Sequence, residues 1–145
     1  MEDRLYSCDV CGNLAFMVIA SGVKPYCCGK EMASVQVKTV EEGSEKHVPQ
    51  IEFINGNKIK VKVGSTLHPM SPQHYIQFIC LETTAGCVVR SLCATDQPEV
   101  CLRFTGQPKA IYSYCNVHGL WKKTITKEDC PPCEPQSTQS CCAYK

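Results

Sequence analysis

The stretch Ile51-Glu52-Phe53-Ile54-Asn55-Gly56-Asn57-Lys58-Ile59-Lys60-Val61-Lys62-Val63 decides the fold class. Ile59, Val61 and Val63 alternate with Lys58, Lys60 and Lys62, the period of a strand with one face buried and the other wet. The apolar run 51–54 precedes it across Asn55-Gly56, a pair suited to a tight hairpin turn. Working outward, strand-like runs recur at 75–82, 87–92, 100–105 and 110–115, with turn residues between them. No segment carries the apolar period of an amphipathic helix. Short strands spaced in this way predict an antiparallel sandwich.

The regions on either side of the strands differ in composition. Residues 1–36 carry Cys8-Asp9-Val10-Cys11 and, later, Cys27-Cys28-Gly29. So short a segment buries too little apolar surface to fold alone, which calls for a metal or a partner chain to hold it. Residues 37–46 are polar and read as a linker, and 47–123 hold the sandwich. From 124 to 145 the chain is proline-rich and aperiodic, with Cys130-Pro131-Pro132-Cys133 and Cys141-Cys142, and is expected to lie outside the core.

Bulk properties narrow the function. A net charge of +1 leaves no whole-protein footprint for nucleic acid or a membrane surface. The longest apolar run, 14–20, is too short to span a bilayer. Met1-Glu2-Asp3-Arg4 is acidic where a secretory signal would be basic, so a cytoplasmic location is expected. The 13 cysteines then read as thiols and metal ligands of a reducing compartment, and their odd number argues against complete internal pairing.

Cys8-x-x-Cys11 is one half of a tetrahedral thiolate site, since the intervening turn brings both sulfurs to one ion at about 2.3 Å. Cys27 and Cys28 would supply the other half. Adjacent side chains on a strand point to opposite faces, so the backbone must bend there, and Gly29 permits the bend. Thiolates alone do not separate zinc from iron, and a disulfide pair is a further reading.

The four histidines lie in informative surroundings: Glu45-Lys46-His47-Val48-Pro49, His68-Pro69-Met70, His74-Tyr75-Ile76 and Cys115-Asn116-Val117-His118-Gly119-Leu120-Trp121. All four fall in loops or at strand ends, where a rigid sheet positions functional groups. Together with Lys60-Val61-Lys62-Val63-Gly64-Ser65, these segments resemble the desulfoferrodoxins, in the family's order and at compatible spacing. The cysteine pairs at 8, 11, 27 and 28 match its desulforedoxin-like module, and the resemblance covers roughly residues 5–122.

The resemblance implies an all-β chain, a small desulforedoxin-like β module followed by an immunoglobulin-like antiparallel β-sandwich. It implies two iron ions and superoxide reductase activity, the one-electron reduction of superoxide to hydrogen peroxide without release of oxygen. His47, His68, His74 and His118 would give four equatorial nitrogens and Cys115 an axial thiolate, with the sixth position open in the ferrous state. Cys8, Cys11, Cys27 and Cys28 would hold the second iron. Lys46 would draw in superoxide and help organise water for protonation. Glu45 would bind the ferric iron after turnover, a hard ligand for a hard ion. A homodimer and a rubredoxin-like electron donor are also expected.

An axial thiolate pushes electron density toward whatever binds opposite it, and in cytochromes P450 that push favours O–O cleavage. Peroxide must here leave with that bond intact. Backbone N–H groups just after Cys115 are therefore expected to donate to its sulfur and moderate the push. Lys58, Lys60, Lys62, Lys122 and Lys123 would add local positive field, or simply form a solvated strand face.

Cys80, Cys87, Cys93 and Cys101 fall in or beside strand-like runs and are expected to pack as small hydrophobes. Cys130, Cys133, Cys141 and Cys142 echo the first module with a shorter loop between them. A third metal site, a thiol–disulfide tail and a disordered segment all fit. Two other functions compete with the reductase: electron transfer through the four-thiolate site alone, and a zinc-binding interaction module. The first would leave the four histidine segments unexplained, and the second would give a colourless protein without redox chemistry.

Overall fold

The computed structural model describes residues 1–39 and 46–130. Glu45, most of the linker, and Cys133, Cys141 and Cys142 lie outside the described residues.

The chain is all-β. The first module contains β1 (Leu5–Ser7), β2 (Leu14–Phe16), β3 (Tyr26–Cys27), β4 (Lys30–Glu31) and β5 (Ala33–Ser34). Strand β1 lies between β2 and β5, while β3 and β4 make a hairpin of their own. Then come β6 (Val37–Lys38), β7 (Pro49–Asn55), β8 (Lys58–Val63), β9 (Ile76–Thr83) and β10 (Gly86–Ser91). The last strands are β11 (Glu99–Arg103), β12 (Pro108–Cys115) and β13 (Gly119–Thr124). They form a three-stranded sheet, β11-β8-β7, and a five-stranded sheet, β10-β9-β12-β13-β6.

The hairpin predicted at Asn55-Gly56 joins β7 to β8, with Ile51 opposite Val61 and Phe53 opposite Ile59. Alternation along β8 is complete: Ile59, Val61 and Val63 are fully buried, and the intervening lysines are half-exposed. These three face Ile76, Ile79, Leu81 and Ile111 of the other sheet and, with Val100, Leu102 and Phe104, make the sandwich core. Burying side chains of this kind contributes roughly 1.5–3 kcal/mol each.

The five-stranded sheet is covered on its other face as well. Cys80, Ala110, Tyr112 and Leu120 form a second cluster with Met1 and Leu5 of the first module, and Leu14, Val35 and Val37 pack against it. Sheets buried on both faces read as continuous apolar runs, which is why β9 and β12 lack clean alternation. The small module is therefore supported by the rest of its own chain, a source of stability that the sequence reading assigned to a metal or a partner.

Three expectations are corrected. Val37 and Lys38, placed in a linker by composition, pair in parallel with Leu120 and Trp121 at the sheet edge. Residues just past 123 belong to the core: Ile125 is buried and Cys130 packs against the same cluster. Of the four cysteines expected to pack as small hydrophobes, Cys80 is buried, while Cys87, Cys93 and Cys101 are exposed. Cys101 stands at an outward-facing position of β11, where the pleat turns every second residue to solvent, and Cys87 lies on the edge strand β10, which is exposed at every position but Val88.

Candidate metal centres

The histidines arrive from four connections at one end of the sandwich. His47 sits two residues before β7, His68 follows β8, His74 precedes β9, and His118 lies in the turn from β12 to β13. Their rings form a closed cycle of edge-on neighbours. The centroids are 4.9 Å apart for His47–His68, 4.6 Å for His68–His74, 4.8 Å for His74–His118 and 4.4 Å for His118–His47. One ligand atom from each ring and Cys115 Sγ lie within 4.8 Å of one another. His118 Nδ1 is 2.8 Å from His47 Nε2, 3.1 Å from His74 Nε2 and 3.6 Å from Cys115 Sγ.

The donor set fits a metal. His68 Nδ1 is 2.7 Å from the Pro69 carbonyl, a geometry in which Nδ1–H donates and Nε2 keeps its lone pair. That Nε2 is buried with no hydrogen-bond partner. An orphaned buried acceptor aimed at three other imidazoles and a thiol is explained by a cation at their centre. Burial holds the ring neutral, pushing the His68 pKa down to about 4. Burial also lowers His74, where Lys46 adds to the effect, and His118, where His47, His74 and Lys38 add.

Cys115 is wholly buried, while His74 and His118 are half-exposed, so the group is closed at its sulfur and accessible at two imidazoles. A register shift between Tyr114 and Cys115 turns the sulfur out of the ladder toward the rings. Burial raises the thiol, and backbone N–H groups of His118 and Val117 bond to the sulfur in opposition. The N–H donors expected just after Cys115 are thus in place.

Several supporting residues escaped the sequence reading. Asn116 donates Nδ2–H to the Gln73 carbonyl at 3.0 Å and accepts the Tyr75 N–H at 2.8 Å, tying the His118 turn to the His74 loop. Ser113 donates from β12 to the His47 carbonyl at 2.8 Å. Trp121 stacks on His47 with centroids 4.8 Å apart and planes 14° apart. Gly64 has φ +83, and a Cβ there would meet the carbonyls of Thr66 and Lys46, so only glycine lets the Lys46-His47 backbone approach β8. Asn116, Trp121 and Gly64 stood inside the quoted motifs, but their partners lie far along the chain. Lys46 itself is exposed beside the cluster.

The second group comprises Cys8, Cys11, Cys27 and Cys28, whose sulfurs also lie within 4.8 Å of one another. Cys28 and Gly29 have φ of +51 and +81, the left-handed pair of a two-residue hairpin turn, with Cys27 opposite Lys30. The bend needed to bring adjacent cysteines together therefore begins at Cys28, one residue before the predicted glycine. Backbone N–H groups of Cys11 and Val10 lower the Cys8 thiol to about 7. Cys28, crowded by Cys11, Cys27 and Cys8, is pushed up to about 12. Four sulfurs this close cannot all ionise without a cation, which fits a thiolate metal site. Asn13 adds a side-chain donor, Nδ2 to Cys27 Sγ at 3.7 Å.

A β-sandwich bearing four imidazoles and a buried thiol, beside a module of four converging thiols, defines an all-β protein with two metal-binding groups. This chain belongs to the desulfoferrodoxin family: the Desulfoferrodoxin family model matches residues 39–124. It is 45% identical over 120 residues to a desulfoferrodoxin homologue of Archaeoglobus fulgidus, covering 82% of this chain and 94% of the relative. It is 36% identical over 115 residues to a superoxide reductase of Thermococcus kodakarensis, covering 67% of this chain and all of that one. The crystal structure of the Treponema pallidum superoxide reductase superposes with a TM-score of 0.71 at 33% identity, over 83% of this chain and 96% of that one.

Proposed function

We propose that this protein is a superoxide reductase, converting superoxide, one electron and two protons to hydrogen peroxide. The observation that carries the reading is the closed cycle of four imidazoles converging with the buried Cys115 sulfur. We assign His47, His68, His74, His118 and Cys115 as ligands of one iron, and Cys8, Cys11, Cys27 and Cys28 as ligands of a second. Iron bound by the histidines would supply the one-electron couple and a position for the anion.

The chain's own residues do the rest. The Pro69 carbonyl fixes the His68 tautomer, and Asn116 fixes the spacing of His74 and His118. N–H groups of Val117 and His118 draw charge from the Cys115 sulfur, which favours release of peroxide with its O–O bond intact. Four neutral imidazoles and one thiolate leave a ferrous site with a net charge of about +1, enough to attract an anion without trapping it. Lys46, exposed beside His47, supplies a further cation for encounter and for organising water. Glu45 is assigned from the family resemblance as the carboxylate that closes the site after turnover. The four-thiolate module is proposed to relay electrons from a rubredoxin-like donor in the cytoplasm and to support a homodimer.

Anaerobic metal analysis and visible spectra, followed by a superoxide pulse on the reduced protein, test the reading. Two irons per chain, with peroxide formed and no oxygen released, are expected. Zinc at both sites in protein purified from its own host, with no response to superoxide, would overturn it in favour of a structural or binding module.

A further inference from the structure

The edge strand β6 brings a second cation to the histidine cluster. Lys38 stands in register with Trp121 of β13. Its Nζ lies 5.5 Å from the Trp121 ring centroid, a cation–π contact. Trp121 is in turn stacked on His47 at 4.8 Å, so the Lys38 ammonium is within about 10 Å of the His47 ring. Its field acts on His118, as that of Lys46 acts on His74. The two cations therefore bear on different imidazoles, both half-exposed.

The two lysines are held differently. Lys46 is exposed in the turn before His47, whereas Lys38 is half-buried, its backbone paired to β13 and its head over an indole. Among the described residues neither has a carboxylate within ion-pair distance, unlike Lys24, Lys30, Lys60, Lys122 and Lys123. A charge held in a fixed place is suited to long-range attraction, since it keeps its field at a fixed direction from the site.

We propose that Lys38 is a second guiding cation of the histidine centre, raising the local concentration of small anions at the imidazole-lined opening. That the physiological anion is superoxide rests on the function proposed above; the anion-guiding role does not. Across about 10 Å of partly solvated surface, one unit charge changes anion occupancy by roughly two- to fourfold, and salt removes the effect once the Debye length falls to a few ångströms.

The test uses the full iron-loaded protein in its ferric form, with Glu45→Ala in every variant so that the proposed carboxylate cannot close the site, and azide, a redox-inert monovalent anion, titrated by visible absorption at low and high ionic strength. Lys38→Gln should weaken azide binding about two- to fourfold at low salt and leave it unchanged at high salt. Lys38→Arg should bind as the wild type does, and Lys38→Glu should roughly square the loss. An unchanged low-salt affinity in Lys38→Gln overturns the proposal. So does a loss shared by Lys38→Arg and persisting at high salt, which would mark Lys38 as a clamp between β6 and β13. Superoxide encounter rates of the same variants should follow the azide order. A wild type inert to superoxide, with the azide series intact, would remove the reductase reading and leave Lys38 as an anion guide.

Discussion

The four-thiol module and the histidine centre use the same small device in two settings. In Cys8-Asp9-Val10-Cys11 and in Cys115-Asn116-Val117-His118, backbone N–H groups two and three residues on bond back to the leading sulfur. At Cys8 these bonds prevail and the thiol falls to about 7; at Cys115 burial prevails and the thiol rises. By surface area both are covered, at 3% and 0% exposure, so coverage does not separate them. Depth does. Cys8 lies under a thin module whose other cysteines are exposed or half-exposed, whereas Cys115 is at the end of a sandwich core. The same turn thus makes an easily ionised thiol in the thin module and, at the end of the core, one whose thiolate form would need a cation beside it.

Replacing Cys115 by Ser should give the largest effect. With the buried sulfur gone, iron affinity at the histidine centre should fall by more than about 100-fold, since loss of an outer-shell partner alone costs 10–100-fold. The four-thiolate spectrum should persist. Metal titration read at both chromophores checks this, and joint loss of the two signals would show that the sites are not independent.

Acid should sharpen the contrast in the metal-free protein. His68 is held neutral to about pH 4 when folded but takes a proton near 6.5 when unfolded. Because the unfolded chain binds that proton first, stability is fully present above pH 6.5 and is lost as pH falls through 4, by up to about 3 kcal/mol. Urea denaturation of the apoprotein across this range measures the loss, which His68→Gln should reduce.

The smallest expected effect is at the surface site. Removing the Asn13 donor with Asn13→Ala should lower the reduction potential of the four-thiolate iron, since a hydrogen bond to a ligand sulfur favours the more negative, reduced state. Spectroelectrochemistry reads the shift. Iron content and the histidine centre should be unchanged; an altered potential at the histidine centre would contradict the separation of the two sites.

Much of this molecule was legible because its signals are local. The β7–β8 hairpin needs only a turn dipeptide and a two-residue period, and both lie within one short stretch. The nine candidate ligands come from short motifs, and the structure gathers them into two groups that could each hold a metal ion. Strand β6 was not legible, since a two-residue parallel pairing has no periodicity and takes its stability from a neighbour more than 80 positions away. Ile125 and Cys130 were hidden by a proline-rich context that begins only after them. Exposure of Cys87, Cys93 and Cys101 was missed because cysteine composition carries a burial tendency but no face.

The sequence by itself determined the strands, the hairpin, the ligand types and the loops that carry them, because each depends on chain-local periodicity, turn chemistry or spacing. Tertiary structure decided the rest: the cyclic order of the imidazoles, the orphaned His68 nitrogen, the anchoring by Asn116 and Ser113, and the Lys38–Trp121–His47 stack. Those features arise only when segments from opposite parts of the chain are brought within hydrogen-bonding or ring-contact distance, and the depth at which each sulfur then lies sets its chemistry.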